Sequence, residues 1–225
     1  MDIQTGVFSD QDILQAISTG LIIIDPFDIS LLNTTSYDCT LGEWYYVFRE
    51  DGYHVDYNPY DPVDVKRSFT GPFRAVLHQD WADKYRNGKL WKNIPPQAPI
   101  IVLRPGENII CHTAEFIGTT TRGTTMMHAK STVGRNNLSV CDDAGWGDIG
   151  YFNRWAQETR NKTNKYIPLV VGEAYSQIIF FHTGQTDRCY GSEGTYQKGS
   201  QLESIKSSWK PEMLLPIMRV KRFSQ

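Results

Sequence analysis

Apolar runs in this chain are short, and turn residues cut each one before it could build a long helix. Ile100-Ile101-Val102-Leu103 gives out at Pro105-Gly106, which returns the chain into Asn108-Ile109-Ile110-Cys111. Ile167 to Val171 meets Gly172-Glu173 and resumes as Tyr175 to Phe181. Short strands between turns predict a mainly β fold, a sandwich or barrel. The helix–strand alternation of a parallel sheet is absent. One N-terminal helix stands out. Ser9 supplies its cap and Asp12 answers three positions on. Ile13, Leu14 and Ile17 share a face, and Gly20 stops it. A second helix is expected over Gln79 to Arg86, ended by Asn87-Gly88.

At 225 residues the chain reads as one domain, 1–225. Residues 50–98 are rich in Tyr, Asp and Pro and read as a structured insertion or a long loop. The tail from about residue 205 carries Trp209, Met213, Leu214, Leu215 and Ile217, and is expected to dock on the body or on a neighbouring subunit. The net charge of -2 argues against a general nucleic-acid binder. The longest wholly aliphatic run, Leu21 to Ile24, falls far short of the roughly 20 residues a membrane helix needs. Met1 to Gly6 has neither the basic nor the apolar region of a signal peptide. The 4 cysteines are far apart and are expected to be reduced in a cytoplasmic protein.

Chemistry concentrates in the middle of the chain. Lys130-Ser131-Thr132-Val133-Gly134-Arg135 offers hydroxyls between two cations, with a glycine for close backbone approach, which suits a polyphosphate. Alone, the same residues fit a polar surface turn. Downstream, Asp142-Asp143-Ala144-Gly145-Trp146-Gly147-Asp148 gathers carboxylates and glycines, and Glu158 follows. As a strand, Trp155 to Thr159 sends Trp155, Gln157 and Thr159 to one face, and Ala156 and Glu158 to the other. An inward-pointing Glu158 would have its pKa lifted by burial toward a general base's range. On spacing alone, the favoured reading is a solvent-facing Glu on an edge strand. The 5 histidines are scattered, and neither H-x-E nor P-C-x-x-C occurs, so zinc deaminase chemistry has no signature here. The G-x-x-x-x-G-K-[ST], G-x-G-x-x-G and G-x-S-x-G motifs are also missing.

Taken together, these blocks resemble the dCTP deaminase family of the trimeric dUTPase-like superfamily. Ser9-Asp10-Gln11-Asp12-Ile13 resembles its S-D-x-D-I opening. Ile24-Asp25-Pro26-Phe27 and Thr35 to Gly42 resemble I-x-P-F and P-A-S-Y-D-L-x-L-G. Leu103 to Glu107 is similar to L-x-P-G-E, and Lys130 to Arg135 to [RK]-S-S-x-x-R. Ala144 to Tyr151 is similar to A-G-[WF]-I-D-P-G-[FW]. Tyr190-Gly191 and Tyr196-Gln197 resemble the C-terminal P-Y-G and K-Y-Q-G-Q. The blocks occur in the family's order from Ser9 to Gln197.

The resemblance implies a distorted β-barrel or jelly-roll of the β-clip kind. It implies a homotrimer with sites between subunits, binding dCTP or dUTP with Mg²⁺ carried on the triphosphate and no zinc. On that pattern Glu158 activates water for attack at C4 of cytosine. Ser131 and the Ala144 backbone hold the water, and Arg135 steadies the Glu. Asp148 contacts the sugar or, in dUMP-forming members, activates water for cleavage to dUMP and pyrophosphate. Lys130, Thr132, Tyr190, Tyr196 and Gln197 grip the triphosphate, and Asp143, Trp146 and Gln201 are further substrate contacts. The chain departs from the pattern at positions that bear on the substrate. Lys130 stands where many members have Arg, and Cys141-Asp142-Asp143 where uncharged residues are usual. Asn153-Arg154-Trp155 replaces G-x-I, and Thr195 replaces a Lys. Two other activities share the scaffold: a dUTPase or pyrophosphatase needing Asp148 but not Glu158, and a catalytically silent nucleotide-binding regulator.

Overall fold

Ser9 caps α1 (Asp10–Ser18) as its sequence predicts. The Asp12 N–H donates to Ser9 Oγ at 3.2 Å, and the Ser9 N–H donates back to the Asp12 carboxylate at 2.9 Å. Ile13 and Ala16 are the residues the helix buries, and Gly20 follows its end at φ +73. The structure is a computed structural model that describes residues 6–49, 56–142, 144–194, 196–197 and 199–220. Asp143, Thr195 and His54 lie outside the described residues.

The remainder is mainly β, and every strand pair is antiparallel. The largest sheet runs β10 (Leu138–Val140), β13 (Ala156–Asn161), β7 (Asn108–His112), β3 (Trp44–Phe48), β4 (Phe69–Arg74). A second runs β11 (Trp146–Gly147), β9 (Thr124–Ala129), β15 (Ala174–Phe181), β2 (Tyr37–Thr40). A third is β1 (Ile22–Asp25), β8 (Phe116–Thr119), β12 (Phe152–Asn153), and a fourth β14 (Ile167–Val170), β6 (Pro99–Leu103), β5 (Val76–Leu77). The distorted β architecture is as expected, but the strands divide among four sheets rather than closing one hydrogen-bonded barrel. Period-2 alternation turns Tyr37, Leu103, Ile117, Met127, Ile178 and Phe180 into one shared core.

Residues 56–98 add to two of these sheets. Asp61 caps α2 (Pro62–Ser68) by accepting the Val63 N–H at 2.9 Å, and Pro62 opens the helix. β4 then extends the largest sheet and β5 the fourth, and α3 (His78–Tyr85) fills the place of the predicted second helix. The tail docks on the body of its own chain. α6 (Leu202–Ser208) buries Ile205 against Phe116 and Phe152, while Leu214 and Leu215 join Tyr46, Val65, Phe69 and Ile110. The cysteines are all free. Among the described residues no helix is long and apolar enough to cross a membrane.

His112 sits where tail and body meet. A Cβ at Gly42 would lie 2.1 Å from its ring, which is why that position is glycine. Its Nδ1 lies 2.7 Å from the Thr113 carbonyl, and its Nε2 accepts the Trp44 N–H at 3.2 Å. These partners fix a neutral imidazole with the proton on Nδ1. Burial pushes its pKa down from 6.5 to about 4. Above about pH 6.5 it is neutral whether folded or not. Below that, the unfolded chain takes up a proton that the folded chain refuses until about pH 4. Stability should therefore fall across this window, by roughly 3 kcal/mol at full extent from this group. Urea unfolding from pH 7 to pH 4 would measure the loss. An imidazole NMR titration centred at 6.5 in the native protein would contradict it.

Candidate active site

Glu158 stands on β13, whose register against β7 pairs it with Ile110. The alternation of this strand is as predicted. Gln157, Thr159 and Asn161 form the buried face, and Glu158 with Arg160 faces outward. The inner face is satisfied by polar partners: Gln157 Nε2 donates to Ser176 Oγ at 2.6 Å, and the Thr159 hydroxyl pairs with the Tyr175 hydroxyl. Glu158 thus faces solvent, as spacing alone favours, but on a strand paired on both sides rather than at an edge. Its side chain is exposed within its own chain and opens into a cavity of about 320 Å³, a volume that suits a small-molecule site.

The second wall of that cavity is the turn from Cys141 to Tyr151. The Cys141 N–H donates to the Glu158 carbonyl at 3.1 Å, which brings the start of the turn beside the strand. The Met127 N–H donates to the Gly145 carbonyl at 2.7 Å, and Thr124 Oγ1 to the Gly147 carbonyl at 2.6 Å. Both glycines are required by close approach. A Cβ at Gly145 would lie 2.3 Å from the Met127 carbonyl oxygen. One at Gly147 would lie 2.1 Å from Thr125 Oγ1 and 2.6 Å from the Trp155 ring. Trp155 is buried and donates its indole N–H to the Ile117 carbonyl at 2.9 Å. The turn so pinned presents Ala144, Trp146 and Asp148 to the cavity, with Tyr190 and Tyr196 opposite. Trp146 is 58% exposed, a large apolar surface for a planar ligand.

The groove continues past Trp146, Asp148, Tyr190 and Tyr196 into a second hollow of about 590 Å³ that holds Thr183, Thr186 and Arg188. Tyr190 is set by three contacts. Its N–H donates to the Ile149 carbonyl at 2.8 Å, its ring meets the edge of Tyr151 at 5.1 Å, and its hydroxyl accepts the Tyr196 N–H at 3.1 Å.

Other predicted residues lie elsewhere. Lys130 forms a close ion pair with Asp38, itself buried. Ser131, Thr132 and Arg135 are exposed on the short α4 (Ser131–Arg135) and line neither of these two cavities. The register places α4 at the opposite end of β13 from Ala156, because β10 pairs Leu138 with Asn161 and Val140 with Thr159. Within one chain, then, Glu158, Ala144 and Asp148 are brought together, and Ser131 and Arg135 are not.

Gln197 is also employed differently from expectation. It is buried, accepts the Phe152 N–H at 2.9 Å, and donates to the Gly150 carbonyl at 2.8 Å. It staples the tail to the turn rather than facing a ligand. Gln201 is exposed at the start of α6, outside the cavities. The sequence reading missed Arg154 and the tail residues Trp209, Met213, Leu214 and Pro216, all on the wall of the Glu158 cavity. For Arg154 a signal existed: it shares the parity of Ala156 and Glu158 along the strand. The tail had none, because its contacts are made across the whole chain.

A family model described as dCTP deaminase-like matches residues 7–183. A protein of Nanoarchaeum equitans named "dCTP deaminase, dUMP-forming" is 27% identical over 204 residues, 91% of this chain and 98% of its own length. One of the same name from Acidothermus cellulolyticus is 27% identical over 207 residues, 90% and 95% of the two chains. Among solved structures, the 2'-deoxycytidine 5'-triphosphate deaminase of Agrobacterium tumefaciens superposes with a TM-score of 0.55 at 18% identity. That match covers 80% of this chain and 49% of the other, so this chain spans about half its length. It speaks for the fold.

Proposed function

The chain belongs to the dCTP deaminase-like family, and on that premise we propose that it deaminates dCTP and carries the product on to dUMP, acting on free nucleotides in the cytoplasm. The observation that carries this reading is one cavity shared by Glu158, Ala144 and Asp148. Its two carboxylates stand where two successive hydrolyses each need a base. In the first, Glu158 takes a proton from water as its oxygen adds to C4. The proton returns to the amino group as the C4–N bond breaks, so that dCTP and water become dUTP and ammonia. In the second, Asp148 orients water toward the α-phosphorus, and dUTP and water become dUMP and pyrophosphate. Trp146, whose ring stacks on Phe181 at 6.3 Å, borders the cavity where a planar base would rest. The triphosphate then runs toward Thr183, Thr186 and Arg188.

Among the described residues no three His, Cys, Asp or Glu side chains converge. Mg²⁺ is proposed to arrive on the phosphate oxygens of the nucleotide, where it would offset the polyphosphate charge. The deamination is proposed to proceed on Glu158 without zinc.

A homotrimer with its sites between subunits belongs to the same reading. It is supported by the division of the site: α4 exposes Ser131 and Arg135 away from the cavity that holds Glu158. In the trimer the α4 of one subunit would bring these residues to the Glu158 of the next. Ser131 would then help hold the attacking water and Arg135 would orient the carboxylate.

Product analysis tests the function. With dCTP and Mg²⁺ the protein should yield dUMP, pyrophosphate and ammonia. Asp148→Asn should stop at dUTP, with dUMP formation down about 10²-fold or more. Intact dCTP after prolonged incubation would overturn the proposal. Cleavage of dUTP alone, dependent on Asp148 but not Glu158, would replace it with a pyrophosphatase.

A further inference from the structure

Arg154 is a cation kept partly dry on a cavity wall. Its Nε donates to the Ala114 carbonyl at 3.2 Å. Its guanidinium lies over the Phe116 ring at 5.0 Å and over the Trp209 ring at 4.6 Å, so a strand residue and a tail residue grip it from two sides. Burial lowers its pKa, and the carboxylates of Glu43 and Glu115 act in the opposite sense. Each carboxylate is also engaged elsewhere. Glu115 accepts the Thr40 N–H at 3.0 Å and the Thr40 hydroxyl at 2.7 Å, and Glu43 is held by Arg74 Nε at 2.8 Å. Among the described residues Arg154 makes no salt bridge. A charge withdrawn from water without an ion pair is costly unless something else meets it.

What lies before it is the Glu158 cavity. Arg154 lies two residues before β13 and lines that cavity with Ala156 and Glu158. Four residues of chain hold the Cα atoms of Arg154 and Glu158 at most about 14 Å apart, within reach of one bound molecule. The Nε–H is used, and the two Nη groups are the donors that remain. Their fork suits oxygen, whether a phosphate oxygen or a carbonyl.

We propose that Arg154 is a substrate-binding residue of this site, donating through its Nη groups to an oxygen of the nucleotide whose base is presented to Glu158. Phe116 and Trp209 hold its plane in place before the ligand arrives. The tail thereby helps set substrate affinity, because Trp209 supplies half of the clamp. This rests on the dCTP reading above.

The test is equilibrium binding of dCTP with Mg²⁺ to Glu158→Gln, which should bind without turnover, against Glu158→Gln/Arg154→Met. Methionine keeps an unbranched apolar stem between the two rings and removes every donor. The double variant should bind dCTP about 10- to 100-fold more weakly at an unchanged thermal midpoint. Repeating the comparison with dCMP locates the oxygen. A deficit confined to dCTP places it on the β- or γ-phosphate, and a deficit in both places it on base, sugar or α-phosphate. Equal affinity in a folded double variant overturns the proposal and leaves the functional reading standing. Failure of Glu158→Gln itself to bind dCTP overturns both. If methionine prevents folding, Arg154→Lys in the same background decides. It keeps the charge and loses the fork, so it should bind about 10-fold more weakly, and equal affinity would again overturn the assignment.

Discussion

Glu158→Gln is expected to lower ammonia release from dCTP by about 10²- to 10⁴-fold or more while leaving the fold intact. The two side chains are nearly the same size, and Glu158 faces outward from β13, so the exchange disturbs no core packing. What it removes is the capacity to take a proton from water. The thermal midpoint and dCTP affinity should stay near wild type, which separates a lost base from a lost structure. Cleavage of added dUTP should persist, because that step is assigned to Asp148. A variant that keeps near-normal deamination would remove Glu158 from the chemistry.

Mixing two inactive variants is expected to restore activity. Glu158→Gln retains a competent α4, and Arg135→Ala retains a competent Glu158 cavity. If each site takes α4 from one subunit and the cavity from the next, random mixed trimers contain sites free of both substitutions. In an equal mixture about one site in four is intact, so co-expressed variants should recover about one quarter of wild-type activity. Each variant alone should stay inactive. No recovery, despite confirmed mixing of labelled subunits, would mean that Arg135 acts on its own chain's cavity or not at all.

What the sequence made legible follows from the range of the forces involved. α1 was readable because its capping box is complete between Ser9 and Asp12. The β6–β7 and β14–β15 segments were readable because Pro105-Gly106 and Gly172-Glu173 carry the turn chemistry themselves. α2 was readable in principle: Asp61-Pro62 is an N-cap followed by a first-turn proline. The aromatic and proline content around it masks that signal in the sequence.

The candidate site was half legible. The resemblance to the dCTP deaminase pattern points to Glu158, Ala144 and Asp148, and period 2 fixes which neighbours share a face with Glu158. Period 2 does not say which face is buried. That depends on β15 supplying Ser176 and Tyr175 to meet Gln157 and Thr159. Gln197 shows the same limit: its residue type suits a ligand, and only the folded backbone shows Gly150 and Phe152 already using its amide. Arg154 first appeared as a departure from a pattern, and its surroundings came from Ala114, Phe116 and Trp209, none of them adjacent in sequence.

Gly147 and Trp155 meet across the turn, the glycine leaving the room that the indole fills. The pattern this chain resembles places Ile at both positions. The two positions are therefore sterically coupled. Enlarging 147 while Trp155 is present forces a collision, and shrinking 155 while 147 is glycine opens a void worth about 3–5 kcal/mol. Either position changed alone destabilises the turn that carries Asp148, and only a paired exchange keeps both the space and its filling.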